Sequence, residues 1–119
     1  MTDDRAILLK GKIVFPPGDR PAEAARVVAR IEDVSHADAP ARIVAKHVQE
    51  NVAVPQGEEE SLFFAIGYPA SAEPGSRYSV RVHVDVTGTE TVTPGDFVST
   101  VSYPVPPERG DVTIRVQRV

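Results

Sequence analysis

At 119 residues, with 41% hydrophobic and 25% charged side chains, the chain is long enough for one domain with a core and too apolar to be disordered. Its 17 acidic residues against 13 basic ones give a formal charge of −4, and the basic residues are scattered singly, which weighs against nucleic acid or an anionic membrane as partner. The sequence holds no cysteine, so disulfides, thiol chemistry, thiolate metal sites and cysteine lipidation are excluded within it, and no run approaches the ~20 apolar residues of a membrane span.

Residues 1–5 read as an acidic tail and residues 6–119 as a single all-β domain. The first strand is expected over about Ala6 to Phe15, with Ile7, Leu9, Ile13 and Phe15 on one parity and Lys10 and Lys12 on the other. Pro16-Pro17-Gly18-Asp19 stops it, because proline offers no ladder donor. Ala22 to Ala25 has room for a brief helical turn, too short to stand alone. The second strand, about Arg26 to Val34, turns Val27, Ala29 and Ile31 inward and Arg26, Arg30 and Glu32 outward.

The third segment, Ala41 to Val54, changes phase. Ile43, Ala45 and His47 share one parity, and Val44, Val48, Val52 and Val54 the other. A bulge near Lys46 would reconcile the two; an amphipathic helix over Ala41 to Gln49 is the competing reading. Pro55-Gln56-Gly57 and the trio Glu58, Glu59, Glu60 form a solvated connection, and Leu62, Phe64 and Ile66 then point inward in a short strand.

Tyr78 to Val86 is the clearest element. Tyr78, Val80, Val82, Val84 and Val86 alternate with Ser79, Arg81, His83 and Asp85, the pattern of a strand with one dry and one wet face. Thr87-Gly88-Thr89-Glu90 reads as a tight reversal and Pro94-Gly95-Asp96 as a turn. Phe97, Ser99, Val101 and Tyr103 continue the sheet, and Val112, Ile114 and Val116 make the last strand. About seven strands with turn-rich joints and at most one short helix predict a mostly antiparallel β-sandwich, with a closed barrel as second choice.

Chemistry is sparse. His83 with Asp85, and His36 with Asp38, stand two apart, so each pair would share a face; one imidazole and one carboxylate make half of a metal or acid–base site. The plainer reading gives His83 and Asp85 to the wet face and Asp38 to a turn in which it bonds backbone N–H. His47 reads as a surface or groove residue. No Gly-x-Ser-x-Gly elbow or phosphate-cradling loop occurs, the hydroxyls of Ser99, Thr100 and Ser102 follow from strand alternation, and the glutamate trio lacks cation-loop spacing. No catalytic residue, metal or cofactor is therefore assigned. Phe63 differs: it lies on the parity opposite Leu62, Phe64 and Ile66, so it should emerge outward as an anchor for a partner unless a loop or the third segment covers it.

The stretch Val27-Val28-Ala29-Arg30-Ile31-Glu32-Asp33-Val34-Ser35, followed by Ala37-Asp38-Ala39-Pro40, resembles the YbaY/YscW-like bacterial proteins, grouped as type III secretion lipoprotein chaperones or pilotins. Phe64-Ala65-Ile66-Gly67-Tyr68, Arg77-Tyr78-Ser79-Val80-Arg81-Val82 and Ser99-Thr100-Val101-Ser102-Tyr103-Pro104-Val105 extend the likeness, in order, over nearly the whole chain from about Gly11. The resemblance implies a small β-sandwich without catalytic residues. It also implies a lipid-anchored helper that holds a segment of a secretion-ring protein, although this sequence shows neither leader nor lipid-accepting cysteine.

The expected function is a non-enzymatic, chaperone-like module for a protein segment, taken along an unpaired edge or as a helix in a groove. A carrier of a small apolar ligand between the sheets is the alternative, and an enzyme built on a His/Asp pair a third. The acidic start predicts a cytoplasmic protein; removal of a leader would instead place it in the periplasm or at the outer membrane.

Overall fold

The computed structural model describes residues 6–35, 38–69, 77–105 and 111–119. They form eight strands: β1 (Ala6–Val14), β2 (Glu23–Asp33), β3 (Arg42–Ala53), β4 (Leu62–Pro69), β5 (Tyr78–Asp85), β6 (Phe97–Ser99), β7 (Tyr103–Pro104) and β8 (Asp111–Arg118). No helix occurs among the described residues. The helical turn allowed for Ala22 to Ala25 is instead the entry of β2, where Val54 N–H bonds Ala22 C=O at 3.0 Å and Ala25 N–H bonds Val86 C=O at 3.2 Å.

The strands join in one sheet of order β3-β2-β5-β6-β8-β1-β4, with β7 paired to β5 beside that path. Every pairing is antiparallel except β1 with β8, which run parallel from Lys10↔Asp111 to Val14↔Arg115. The expected seven-stranded sandwich is thus corrected to an eight-stranded mixed sheet that curls toward a barrel. Strand β8 makes the difference. Its first half pairs with β1 and its last residues, Val116 to Arg118, pair with β6, so one strand joins what would otherwise be two sheets.

Leu9, Ile13, Phe15, Val27, Ile31, Phe64, Val80, Val84, Phe97, Ile114 and Val116 fill the interior. Each such side chain contributes roughly 1.5–3 kcal/mol by leaving water. Phe15 meets Phe97 edge-on, with centroids 5.2 Å apart at 86°. Gly11 faces inward directly opposite Phe64, and the Phe64 ring lies across it so closely that a Cβ there would fall 2.0 Å from the ring. Outside the core, Arg118 grips Asp19 through two nitrogens and lies over the Phe97 ring at 4.9 Å, tying the turn after β1 to β8. That Arg118 contact holds the half-buried Asp19 carboxyl below its ordinary pKa.

The uncertain third segment is strand throughout, and the helix over Ala41 to Gln49 is ruled out. The pairing slips where Ile31 faces Ala45 and Glu32 faces Ile43, so Val44 is the extra residue, a bulge two positions from the one expected at Lys46. At the other end Asn51 adopts φ 52°, beside the point where β2 changes from burying Ala24 to burying Val27.

The break between β6 and β7 was not legible. Thr100 to Ser102 bow away from β5, leaving Val101 61% exposed where an inward residue was expected. Hydroxyls stand in for the missing ladder. Ser99 Oγ accepts from Val82 N at 3.0 Å, Ser102 Oγ lies 3.0 Å from Ser79 Oγ, and Tyr103 OH accepts from Arg115 N at 2.9 Å.

Candidate functional site

Three places carry functional interest: the face around Phe63, the seam between the end strands, and the outer face of β3, β2, β5 and β6. Strand β4 buries Leu62, Phe64, Ile66 and Tyr68 and exposes the alternate positions. Phe63 is 65% exposed, so neither a loop nor the third segment covers it. Its register partner on β1 is Lys12; Lys10 faces Ala65 and Leu8, itself half exposed, faces Gly67. The outward face of this strand pair is therefore an apolar strip of Leu8, Ala65 and Phe63 beside two lysines.

The seam follows from the strand order. Among the described residues β3 pairs only with β2 and β4 only with β1, so each end of the sheet leaves one ladder unpaired. These two end strands lie against each other without hydrogen-bonding. On the inward side of β3, His47 and Gln49 stand opposite Ala29 and Val27, and Gln49 Oε1 is buried with no hydrogen-bond partner. Polar groups on an inward face are costly in a closed core and tolerable along an opening.

His83 and Asp85 are placed differently from expectation. Arg81 is exposed on the supposed wet face, but Ser79 and Asp85 are buried and His83 is half-buried. Ser79 is covered by Ser102 and β7, and the other end of the strand by the long connection between β5 and β6, which folds back over it. Asp85 accepts from Gly88 N (2.9 Å), Thr89 N (3.2 Å) and Glu90 N (2.9 Å). Asp96 accepts from Val86 N (3.0 Å), Thr93 N (3.0 Å) and His83 Nε2 (2.9 Å). His83 is thus bonded to Asp96, not to Asp85. Burial raises the Asp96 pKa, but the bonds from His83, Thr93 and Val86 outweigh it and hold the carboxyl below its ordinary value.

One ligand-type atom from each of His83, Asp85 and Asp96 lies within 4.8 Å of the others. Every carboxylate oxygen already accepts at least one N–H, and His83 Nε2 donates its proton. The trio is arranged as a clasp on the 86–96 loop. Its signal in the sequence is Thr93-Pro94-Gly95-Asp96, a turn ending in a carboxylate that reaches back to Thr93 N–H.

The clasped loop raises one wall of a cleft of about 510 Å³ on the outer face of the sheet. Register puts Lys46 opposite Arg30 and Arg30 opposite Arg81, and Val48 opposite Val28 and Val28 opposite His83, which faces Val98. Val92 and Glu90 come from the loop, and Glu90 binds Arg26 at 2.6 Å.

The remaining candidates resolve simply. Glu58, Glu59 and Glu60 are exposed, in a turn that Arg20 pins by donating to the carbonyls of Pro55 and Glu60. His36 lies outside the described residues; Asp38 is exposed in a turn, and Asp33 caps that region by accepting from Ser35 N at 2.9 Å. Ser99 and Ser102 serve the backbone and a neighbouring hydroxyl, as described above.

No family model and no curated protein matches the sequence. Among solved structures the chain is similar to an alternative pilotin from the type II secretion system of Vibrio cholerae, with a TM-score of 0.75 and 24% identity over 97% of this chain and 98% of that one. The YbaY/YscW-like resemblance thus rests on the residues quoted for it, whereas a pilotin-like all-β fold is shown along nearly the full length.

Proposed function

We propose that this protein is a non-enzymatic, chaperone-like module that holds a segment of another protein along the β3/β4 seam, with Phe63 as anchor. The observation that carries the reading is the pair of unpaired end strands lying side by side. An extended segment added there gains main-chain hydrogen bonds from the open ladder, and side chains on alternate positions supply the selectivity. Phe63 sits on one of those two strands, facing out, where an aromatic anchor meets a partner without disturbing the core. The fold shared with a secretion-system pilotin supports the same reading. A carrier of apolar ligands draws no comparable support, since the cleft described above lies on the outer face of the sheet and is walled by charged side chains as well as valines.

The test is photocrosslinking in cells from a reactive residue replacing Ala65, which is exposed on the same face as Phe63. A discrete protein adduct is expected, and its yield should drop about tenfold when Phe63→Ser is added, as for an interface hot spot. An adduct indifferent to Phe63→Ser, or no adduct from position 65, would remove the basis for this assignment.

A further inference from the structure

The cleft on the outer face of β3, β2, β5 and β6 has an order that solvation alone does not explain. Its cations form one row across three adjacent strands, Lys46, Arg30 and Arg81, each directly opposite the next. Like charges in directly opposed positions repel. Two carboxylates answer them: Glu32, 7% exposed, lies 2.9 Å from Arg81 and 3.5 Å from Arg30, and Glu90, bound to Arg26 across the cleft, also feels the charge of Lys46. Lys46 makes no ion pair among the described residues. With Arg26 the cleft gathers four cations against Glu32, Glu90 and the buried Asp85, a local balance that stays positive in a chain with a net charge of −4.

Two residues along each strand, about 6.6 Å away, runs a second row, Val48, Val28 and His83, which Val98 on β6 continues. Val48 is 40% exposed and Val92, on the loop wall, 54%. Close by, Arg26 Nε is buried with no hydrogen-bond partner although the same guanidinium binds Glu90. An apolar strip beside a cationic strip asks for a ligand with the reverse arrangement. The cations are too few for the polybasic patch an anionic lipid surface needs, and the cleft offers no aromatic platform for nucleobases.

We infer that this cleft docks an acidic segment of a partner protein, its aliphatic side chains on the Val48–Val28–Val98 row and its carboxylates on Lys46, Arg30 and Arg81. Carboxylates there would relieve the repulsion along the cation row, and charge-assisted bonds to arginine are the stronger kind. The site lies on strands other than β4 and β1, so it stands independently of the Phe63 strip.

The test uses the whole protein with methyl-labelled valines and three probes: a blocked peptide alternating glutamate and leucine, the same peptide with lysine for glutamate, and inorganic phosphate. The acidic peptide should shift the Val28, Val48 and Val98 methyls, with affinity falling as salt rises. Lys46→Glu, at a position without an ion pair, and Arg81→Glu should each weaken it about tenfold while the native spectrum is kept. No shift at those methyls, equal binding of the lysine peptide, or phosphate reproducing the whole response would each overturn the assignment; the last result would leave a simple anion site.

Discussion

Gly11 is fixed by its neighbour, not by its own backbone. The Phe64 ring crosses the space where a side chain would stand, so adding one methyl forces that ring out of the core. Gly11→Ala is expected to cost about 1–3 kcal/mol by overpacking, measured by urea unfolding. Combining it with Phe64→Leu should cost less than the two changes summed, because the smaller side chain vacates the contested space. Asp96 makes a different demand. Its folded pKa is depressed, so its contribution is present above the unfolded value near 4 and is lost as pH falls from there through the folded value. The urea midpoint should therefore drop on acidification below about pH 4, and Asp96→Asn should flatten that part of the profile. Asp96→Ala, which strands the N–H groups of Val86 and Thr93, should cost about 2–4 kcal/mol at neutral pH.

Among the elements, the β6/β7 interruption depends most on single side chains. Tyr103 OH both accepts from Arg115 N and donates to Arg115 C=O, at the position where β8 leaves β1 for β6. Tyr103→Phe is expected to cost about 1–3 kcal/mol and to speed amide exchange at Arg115 selectively; unchanged exchange there would show that water replaces the phenol without loss. None of this was visible in the sequence. Alternation identified β5 and β8 because burial on one face is a local property. It also continued β6 through Val101, since parity records which face a residue would take and says nothing about whether the ladder persists. His83 was matched to Asp85 for the same reason: two residues apart is near along the chain, but the loop over that end brings Asp96 nearer in space. The outward direction of Phe63 was legible, because it needs only the parity of one strand; that no loop or third segment covers it was not.

Over the whole molecule, the two proposed recognition surfaces share β3 but use its edge and its outer face respectively, and neither involves the core. Phe63→Ser should accordingly leave thermodynamic stability within about 0.5 kcal/mol by urea unfolding, which separates lost binding from lost folding. The cation row was beyond sequence reading, since Lys46, Arg30 and Arg81 are neighbours only through the register of three strands. The apparent scatter of basic residues along the chain concealed a cluster in space.

Strand β8 has a consequence for how the protein is made. On a ribosome β1 is synthesised before the other seven strands, yet its parallel mate is the last of them, and among the described residues β8 is the strand that ties the β1/β4 pair into the ladder of the rest. Closing so long a loop is entropically slow. During translation the β1/β4 pair must therefore wait with the β1 edge bare, and a nascent chain stalled before residue 111 would expose that edge to quality control.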